Sequence, residues 1–361
     1  MSNPTPDRAE VLAERLFGAT LGALELFSVY LGTELGLYRA VAEHGPLDCA
    51  ELSERGGIAK RYAREWLEQQ AVAGLVDVEA TDAATSRRYS LSPEHTRVLA
   101  APEDPAHVAP FAHMLAGIGG VLPEVAEAYR TGGGVPYSAY GEAFRHGQGH
   151  INRPAFTHEL AADWLAAMPD VVARLECAPH ARVADVGCGQ GFSTLAIAKA
   201  FLRAHVDGLD LDPGSIADAR RHADEAGLDG RVRFIEADAA ELASRGPYDL
   251  ILILEALHDM ARPLDALRAT RAALAAGGTV LVVDERVADG FTAPGDEVER
   301  MMYGWSVTHC LPTQLAERPS AALGTVMRAD TVRELAERAG YAHIEVLPVS
   351  NDFFRLYRLD P

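Results

Sequence analysis

A glycine-rich stretch at residues 183–193, VADVGCGQGFS, constrains the fold of this chain more than any other feature. A short apolar strand runs into Gly187, Gly189 and Gly191, after which an apolar helical pattern begins. Glycine tolerates positive φ and lets the backbone approach a ligand closely. The stretch therefore predicts a strand, a tight turn and a helix, with a ligand at the carboxyl end of the strand.

Strand-like and helix-like segments alternate after this turn, which is typical of a parallel sheet with helices on both faces. Gly277 and Gly278 are expected to end the helix that precedes the last parallel strand, and residues 342–359 to form an antiparallel terminal hairpin. The predicted fold class is α/β, a Rossmann-like and mostly parallel sheet. The further strands and helices are expected at 205–211, 232–236, 250–254 and 279–284, and at 193–202 and 215–226.

The N-terminal part has a different predicted pattern of secondary structure. Residues 8–36 read as one long apolar helix punctuated by glycines, and residues 37–92 as helix, turn, helix and hairpin, which is the winged-helix pattern. Asp48 and Glu51 form a capping-box signature at the start of one of these helices. We expect three domains: a winged-helix domain at 1–100, a helical linker covering the active site at 101–175, and the Rossmann-like domain at 176–361.

The charge of the chain excludes several classes of function. The formal net charge is −19, and residues 1–100 carry ten Lys or Arg against fifteen Asp or Glu, a net of −5. Nucleic-acid binding needs clustered cations, so we expect no nucleic-acid partner.

The four cysteines lack CxxC spacing, which predicts neither disulfides nor a metal site. Glu25 and Glu34 interrupt the apolar helix, no signal peptide is visible, and we expect a cytoplasmic protein without membrane contact.

The glycine turn fits a cationic ligand better than a dinucleotide. The dinucleotide fingerprint has glycine at its first, third and sixth positions, and the sixth position counted from Gly187 is Phe192. Asp185 precedes the turn by two residues and would repel a pyrophosphate. S-adenosylmethionine (SAM) instead carries a sulfonium and an ammonium group, so Asp185 can orient the loop or face its methionine end.

Further acids follow at the ends of the predicted strands. Asp210 comes 21 residues after Gly189 (210 − 189), where a carboxylate can accept hydrogen bonds from ribose hydroxyls. Asp238 and Ala239 follow the third strand, where an adenine ring would lie, and Glu255 ends the fourth strand, facing the methionine part. Leu211, next to Asp210, completes this predicted cofactor set.

Taken in order, these motifs resemble the class I SAM-dependent methyltransferases over about residues 180–359. The whole chain resembles the bacterial small-molecule methyltransferases with an N-terminal winged-helix dimerisation domain. The segments that carry this resemblance are GGGVPYSAYGEAF (132–144), GQGHINRPAF (147–156), HDM (258–260) and YGWSVTHCLP (303–312). The resemblance implies a homodimer that transfers a methyl group to a small molecule.

The resemblance extends to the catalytic pair of plant-type O-methyltransferases. His258 and Asp259 match a pair in which the histidine deprotonates a phenolic hydroxyl, and Asp284 matches an acid at the end of the fifth strand. The second acid of that family has no counterpart, because Val326 lies near its place. The implied catalytic residues are thus His258, Asp259 and Asp284, with His258 as base or as a group that shapes the pocket.

The other segments supply the rest of the implied site. Tyr140 and Gln148 are expected beside the cofactor. The expected substrate-lining residues are Tyr137, Phe144, Asn152, Met302, Trp305 and His309.

The sequence leaves the acceptor open. The His258–Asp259 pair favours O-methylation, whereas a nitrogen or carbon acceptor could be methylated by proximity and alignment alone. A winged-helix regulator that binds SAM without transferring methyl groups is the alternative from another class.

Overall fold

The computed structural model describes residues 7–79, 87–177, 180–228 and 230–361. Its internal contacts divide the chain into two compact units, which we describe separately. The first comprises residues 1–117 and 146–154, and the second comprises residues 118–145 and 155–361. The domain boundaries expected from the sequence, near residues 100 and 175, stay predictions.

The first unit contains the helix–turn–helix and hairpin that the sequence predicts. The capping box of the third helix is formed as expected, because Asp48 accepts hydrogen bonds from the Ala50 and Glu51 amides while the Glu51 side chain binds the Asp48 amide. The elements are α1 (Arg8–Glu34), α2 (Leu37–His44), α3 (Cys49–Gly56), α4 (Lys60–Val72), β1 (Asp77–Glu79), β2 (Arg88–Ser90) and α5 (Pro93–Leu99).

An aromatic pair lies at the centre of the core of this unit. The Tyr38 and Trp66 rings meet edge to face with centroids 5.0 Å apart. The indole N–H of Trp66 donates to the Ser28 carbonyl at 3.0 Å, and the Tyr38 hydroxyl donates to the buried Gln70 side chain. These contacts join α2 and α4 to the C-terminal half of α1, so that half of α1 belongs to the folded core.

The rest of α1 is apolar but exposed. Within the helix only Val29 and Gly32 are buried. By length and composition alone, α1 is the one helix of the described residues that qualifies as a candidate membrane span, which is weak evidence for any membrane contact. Its exposed large apolar side chains are Val11, Leu12, Leu16, Phe17, Leu21, Leu24, Phe27 and Leu31.

Two long helices have residues in both units, and the second unit continues to the end of the chain. The long helices are α6 (Pro110–Thr131) and α7 (Gly141–His158). The remaining helices are α8 (Pro169–Cys177), α9 (Phe192–Ala200), α10 (Pro213–Ala226), α11 (Pro263–Ala272), α12 (Glu297–Trp305), α13 (Leu311–Ala316) and α14 (Ala329–Ala339).

A seven-stranded sheet forms the centre of the second unit, with strand order β5-β4-β3-β6-β7-β9-β8. All strands from β5 to β7 in this order are parallel, and β9 is antiparallel to both of its neighbours, as the predicted terminal hairpin requires. The strands are β3 (Arg182–Val186), β4 (His205–Asp210), β5 (Val232–Glu236), β6 (Tyr248–Leu254), β7 (Leu274–Glu285), β8 (His343–Val346) and β9 (Phe354–Asp360).

The strand order reverses between β3 and β6. The chain moves from β3 outward to β4 and β5 and then returns to β6 on the other side of β3. Alternate residues of the strands face two separate cores, one against α8, α9 and α10 and the other against α11 and α14. The crevice at the carboxyl ends of β3 and β6 is where this topology places a ligand.

One expectation about a strand boundary was wrong. Gly277 and Gly278 do not end a helix, because α11 ends at Ala272 and both glycines lie inside β7. Gly277 has φ +72° at a point where the pairing of β6 with β7 shifts register. A Cβ on Gly278 would lie 2.7 Å from the Tyr248 carbonyl oxygen, so close strand approach requires glycine there.

Candidate active site

The predicted glycine turn joins β3 to α9 and is held against the end of β4. The amides of Gly187 and Cys188 both donate to the Leu209 carbonyl, at 2.8 and 3.0 Å. Gly187 has φ +75°, and a Cβ there would lie 2.5 Å from the Cβ of Ala256. At Gly189 a Cβ would meet no atom within 4 Å, so the loop leaves open space at its tip.

Asp185, in β3 just before the turn, holds the turn through hydrogen bonds to the start of α9. Its side chain is buried and accepts hydrogen bonds from the hydroxyls of Ser193 and Thr194, both at 2.6 Å. Burial raises the pKa of Asp185, and the two hydroxyls oppose that shift. These contacts fit the predicted role of orienting the loop, whereas a contact with the methionine end of SAM stays a prediction.

Asp210 lies at the end of β4 and connects two segments. One carboxylate oxygen accepts the Gly189 amide and the other accepts the Asp212 amide, both at 2.8 Å. Burial raises the pKa of Asp210 to about 6, although the two amides lower it. Each oxygen keeps a second lone pair, so the carboxylate fits the two ribose hydroxyls of SAM. The neighbouring Leu211 is exposed.

The predicted adenine-binding acid has structural contacts as well. Asp238 accepts the Ala240 amide at 2.8 Å, which caps the short helical turn that begins at Ala239, and it pairs with Arg262 at 2.5 Å. The structure therefore gives Asp238 two partners that the sequence did not suggest. Its contact with an adenine amino group stays a prediction.

Glu255 is strained and carries an atom without a partner. It has φ +53°, which is uncommon for a residue other than glycine. Burial and the neighbouring carboxyl groups of Glu285 and Asp284 raise its pKa well above the usual value, which favours its neutral form. Burial likewise raises the pKa of Glu285 to about 7. Within the described residues Oε1 of Glu255 has no hydrogen-bond partner, so it is available to a ligand amine.

His258 is fixed by Asp284. The imidazole Nδ1 lies 2.8 Å from Oδ1 of Asp284, which is fully buried, and Nε2 lies 3.5 Å from Oδ1 of Asp259. Since a carboxylate can only accept, Nδ1 carries the proton of this hydrogen bond, and Nε2 presents a lone pair when the imidazole is neutral. Burial lowers the pKa of His258, but the Asp284 and Asp259 carboxylates outweigh it and raise that pKa well above the ordinary 6.5.

An aromatic cluster surrounds His309. The imidazole stacks on the Phe144 ring at 4.1 Å and meets the rings of Tyr140 and Tyr137 edge to face at 4.6 and 5.8 Å. Burial lowers the pKa of His309 to about 4, so this imidazole is neutral. Its Nε2 is buried and has no partner within the residues that the structure describes. The cluster thus combines apolar ring faces with one hydrogen-bonding atom.

The remaining expected site residues fall in different places. Met302 is buried and Trp305 half-buried, both in α12. Gln148 and Asn152 belong to the first unit, so their roles beside cofactor and substrate stay predictions.

Three residues of this region were missed by the sequence analysis. Glu285 forms the coupled carboxyl pair with Glu255, and Cys310 contributes to the pKa of His258 through a hydrogen bond. The Gln314 side chain donates to the His258 carbonyl and accepts the Gly324 amide at 3.0 Å. Only Glu285 had a local signal, its position next to Asp284; the other two reach the site through long-range folding.

Comparisons with known proteins agree with this geometry. A family model described as a methyltransferase domain matches residues 178–339. A second model, described as an Rv2258c-like winged HTH domain, matches residues 22–101. The two matches correspond to the Rossmann-like sheet and to the helix–turn–helix and hairpin described above.

The individual relatives of the chain include methyltransferases. The chain is 25% identical to acetylserotonin O-methyltransferase of Mus musculus molossinus, over 88% of this chain and 81% of that protein. It is 35% identical to trans-aconitate 2-methyltransferase of Streptomyces avermitilis, but over 36% of this chain and only 48% of that protein. Human N-acetylserotonin methyltransferase, solved in complex with SAM, matches with TM-score 0.69 at 18% identity, covering 99% of both chains, and shows the fold.

The raised pKa of Asp210 generates a test of cofactor binding. The ribose hydroxyls need an ionised carboxylate, so the affinity for S-adenosylhomocysteine should be full above pH 7 and fall as pH drops through about 6. Asp210→Asn should weaken binding roughly tenfold or more at neutral pH, since a hydrogen bond to a charged group contributes about 1.5–3 kcal/mol. It should also abolish the pH dependence. Calorimetry between pH 5 and 8 measures both.

The exposed Asp330 in α14 offers a matched control. Asp330→Asn should keep the affinity and the pH profile of the unmodified chain. A flat pH profile for the unmodified chain, or an unchanged affinity for Asp210→Asn, would remove Asp210 from the cofactor site.

Proposed function

We propose that this chain, which belongs to the SAM-dependent methyltransferases, transfers the methyl group of SAM to a hydroxyl group of a small aromatic molecule. The observation that carries the proposal is the hydrogen bond between Nδ1 of His258 and Asp284. This bond orients the imidazole so that Nε2 faces away from Asp284. The pair lies at the carboxyl ends of β6 and β7, on the same edge of the sheet as the glycine turn.

The aromatic cluster supports the choice of acceptor. Phe144, Tyr137 and Tyr140 present ring surfaces, on which a flat aromatic molecule packs well. The partnerless Nε2 of the neutral His309 can accept a hydrogen bond from a hydroxyl of that molecule. An acceptor without such a donor would leave a buried nitrogen unpaired, which is costly.

The proposed reaction is a single displacement. SAM supplies the methyl group as an electrophile attached to a sulfonium. The acceptor oxygen forms the new C–O bond as the C–S bond breaks, and the bonding electrons return to sulfur. When the imidazole is neutral, at a pH above its raised pKa, the hydroxyl proton passes to Nε2 of His258. The carboxylates of Asp284 and Asp259 stabilise the imidazolium that results, and this is the same interaction that raises the pKa of His258.

His258→Ala tests the base role. The variant should bind S-adenosylhomocysteine nearly as well as the unmodified chain, while kcat for a phenolic acceptor falls by roughly 10²–10⁴-fold. Raising the pH should partly restore the rate, because a phenol with a pKa near 10 then ionises by itself. A radiolabelled methyl-transfer assay across a panel of phenols and amines, run at several pH values, gives these rates.

His343→Ala is the matched control, because His343 is exposed at the start of β8. It should change neither binding nor kcat. A near-normal kcat for His258→Ala with the true acceptor at every pH would mean that His258 only shapes the pocket. Methylation of amines alone would favour an N-methyltransferase that acts by proximity.

The winged-helix domain is better explained as a dimerisation module than as a DNA-binding one. Two arginines of α4 are paired within the helix, Arg61 with Glu65 and Arg64 with Glu68 at 3.2 Å. Arg87 also reaches Glu68, at 2.9 Å. Since DNA binding depends on cations that are free to neutralise phosphates, this pairing supports a small-molecule enzyme over a SAM-binding regulator.

The exposed apolar surface of α1 supports the homodimer. The side chains that point away from the core include Leu16, Phe17, Leu24 and Phe27, each 45% exposed or more. Contiguous apolar surface of this kind is costly in water and is typical of subunit interfaces. The α1 helix of a second copy of the chain would cover this apolar surface, so that no contact with lipid is needed. Such a dimer agrees with the cytoplasmic location expected from the sequence.

Light scattering tests the assembly. The full chain should give about twice the monomer mass of 38.7 kDa at micromolar concentration. A double variant, Phe17→Glu with Leu24→Glu, should shift the protein toward the monomer, because two charges would be buried without partners. Leu202→Glu, at a similarly exposed leucine of the second unit, should leave the dimer intact. A monomer mass for the unmodified chain would contradict the proposal.

A further inference from the structure

Three potential metal ligands converge beside the proposed reaction centre. His258, Asp259 and Cys310 each offer one ligand atom, and these atoms all lie within 4.8 Å of one another. His258 and Asp259 belong to the short helical turn Leu257–Asp259, and Cys310 ends the π-helical turn Ser306–Cys310. The sequence analysis expected no metal site, because the cysteines lack CxxC spacing. Cys310 is 51 residues from Asp259 in the chain (310 − 259).

We propose that His258, Asp259 and Cys310 bind a zinc ion through imidazole nitrogen, carboxylate oxygen and thiolate sulfur, with a fourth position open. Zinc accepts this mixed donor set in tetrahedral geometry, with bonds of about 2.0–2.3 Å. Such bonds separate neighbouring ligand atoms by roughly 3.3–3.8 Å. Nε2 of His258 and Oδ1 of Asp259 are already 3.5 Å apart. Sγ of Cys310 lies within 4.8 Å of both of these atoms.

Contacts around the ligands match those that tune zinc sites. Zinc-bound histidines commonly donate their other ring N–H to a carboxylate, which fixes the tautomer and raises the basicity of the metal-binding nitrogen. Asp284 takes this place, 2.8 Å from Nδ1 of His258. Nδ1 of His309 lies 3.5 Å from Sγ of Cys310, where it can donate to a thiolate. Two of the three ligands are thus already oriented by buried neighbours.

The local charge favours a cation over an empty cluster. Oδ1 of Asp259 and Oδ2 of Asp284 are buried atoms with no hydrogen-bond partner in the described part of the chain. Binding of a metal ion displaces the proton of a cysteine thiol, so Cys310 would ligate as a thiolate. A divalent ion would neutralise the Asp259 carboxylate and the thiolate together.

Zinc binding and methyl transfer would compete for Nε2 of His258. In the reaction proposed above, on which this consequence rests, Nε2 of His258 receives the hydroxyl proton. Zinc bound to Nε2 removes that acceptor, so the ion should inhibit methyl transfer reversibly. Binding of the metal itself does not depend on the reaction, and it can be measured on a protein whose acceptor is unknown.

Cobalt(II) is the spectroscopic probe for this site. The full chain, without an affinity tag and treated with a chelator, should bind one Co²⁺ per chain and show a thiolate-to-cobalt charge-transfer band in the near ultraviolet. Zn²⁺ should displace it. Cys310→Ser should abolish the band and weaken Zn²⁺ binding at least tenfold by calorimetry. Asp259→Asn should keep the band with weaker binding, which gives a second reading should Cys310→Ser fail to fold.

Cys177→Ser is the matched control, because Cys177 is exposed and free. It should bind both ions like the unmodified chain, and binding of S-adenosylhomocysteine verifies that each variant is folded. An absent band, or a band that survives in Cys310→Ser, overturns the zinc site. Zinc binding in a protein that methylates no acceptor would refute the proposed function alone, whereas methylation without any Co²⁺ or Zn²⁺ binding would refute the site alone.

Discussion

The carboxyl edge of the sheet concentrates acidic groups that need counter-charge, and the rest of the site depends on this constraint. Asp185 and Asp284 are buried there, and Asp210 and Glu255 lie half-buried at the ends of β4 and β6. Removing a charged carboxylate from water is expensive unless hydrogen bonds or a positive charge compensate. Backbone amides and hydroxyls satisfy Asp185 and Asp210, the raised pKa of Glu255 favours its neutral form, and the His258 imidazole satisfies Oδ1 of Asp284. Oδ1 of Asp259 and Oδ2 of Asp284 have no partner among the described residues, so this edge favours a ligand with positive charge, such as the sulfonium and ammonium groups of SAM.

The sequence predicted the parts of this edge that are encoded locally. The glycine turn and Asp210 could be placed because each is tied to the end of a strand, and parallel strands end at the same edge. His258, Asp259 and Asp284 came from the family resemblance, which paired His258 with Asp259, whereas the structure places Nδ1 of His258 2.8 Å from Asp284. The parts that failed or were missed depend on long-range packing. Gly277 resembled a helix terminator because helix ends and close strand approaches both demand glycine, and only the pairing of β6 with β7 distinguishes them. Cys310 and Gln314 gave no local signal, since their partners lie about 50 residues away in the chain.

The first helix illustrates a different limit of sequence reasoning. An apolar pattern on more than one face of α1 favoured contact with a second copy of the chain over burial in the core of a single chain. The structure divides the helix: Val29 and Gly32 pack in the core of the first unit, whereas Leu16 and Phe17 remain exposed. A Cβ on Gly32 would lie 2.5 Å from the rings of Trp66 and Tyr38, whereas one on Gly18 would meet nothing within 4 Å. Gly32 is therefore required by packing within the chain. Gly18 is not, and it lies among the exposed apolar side chains that we propose as the dimer surface.

Nε2 of His258 is where the chemistry of the site converges, because Asp284 fixes the other ring nitrogen and leaves this one lone pair. A proton, an acceptor hydroxyl and a metal ion all require it, and only one can hold it at a time. The carboxylates that make His258 a strong proton acceptor also make it a strong metal ligand, since both properties follow from the same increase in basicity. Replacing Cys310 by a residue without a donor atom would leave the proton affinity largely in place, because that depends mainly on Asp284 and Asp259. It would remove one of three metal ligands. Cys310 is thus the position at which metal affinity and base strength can be separated.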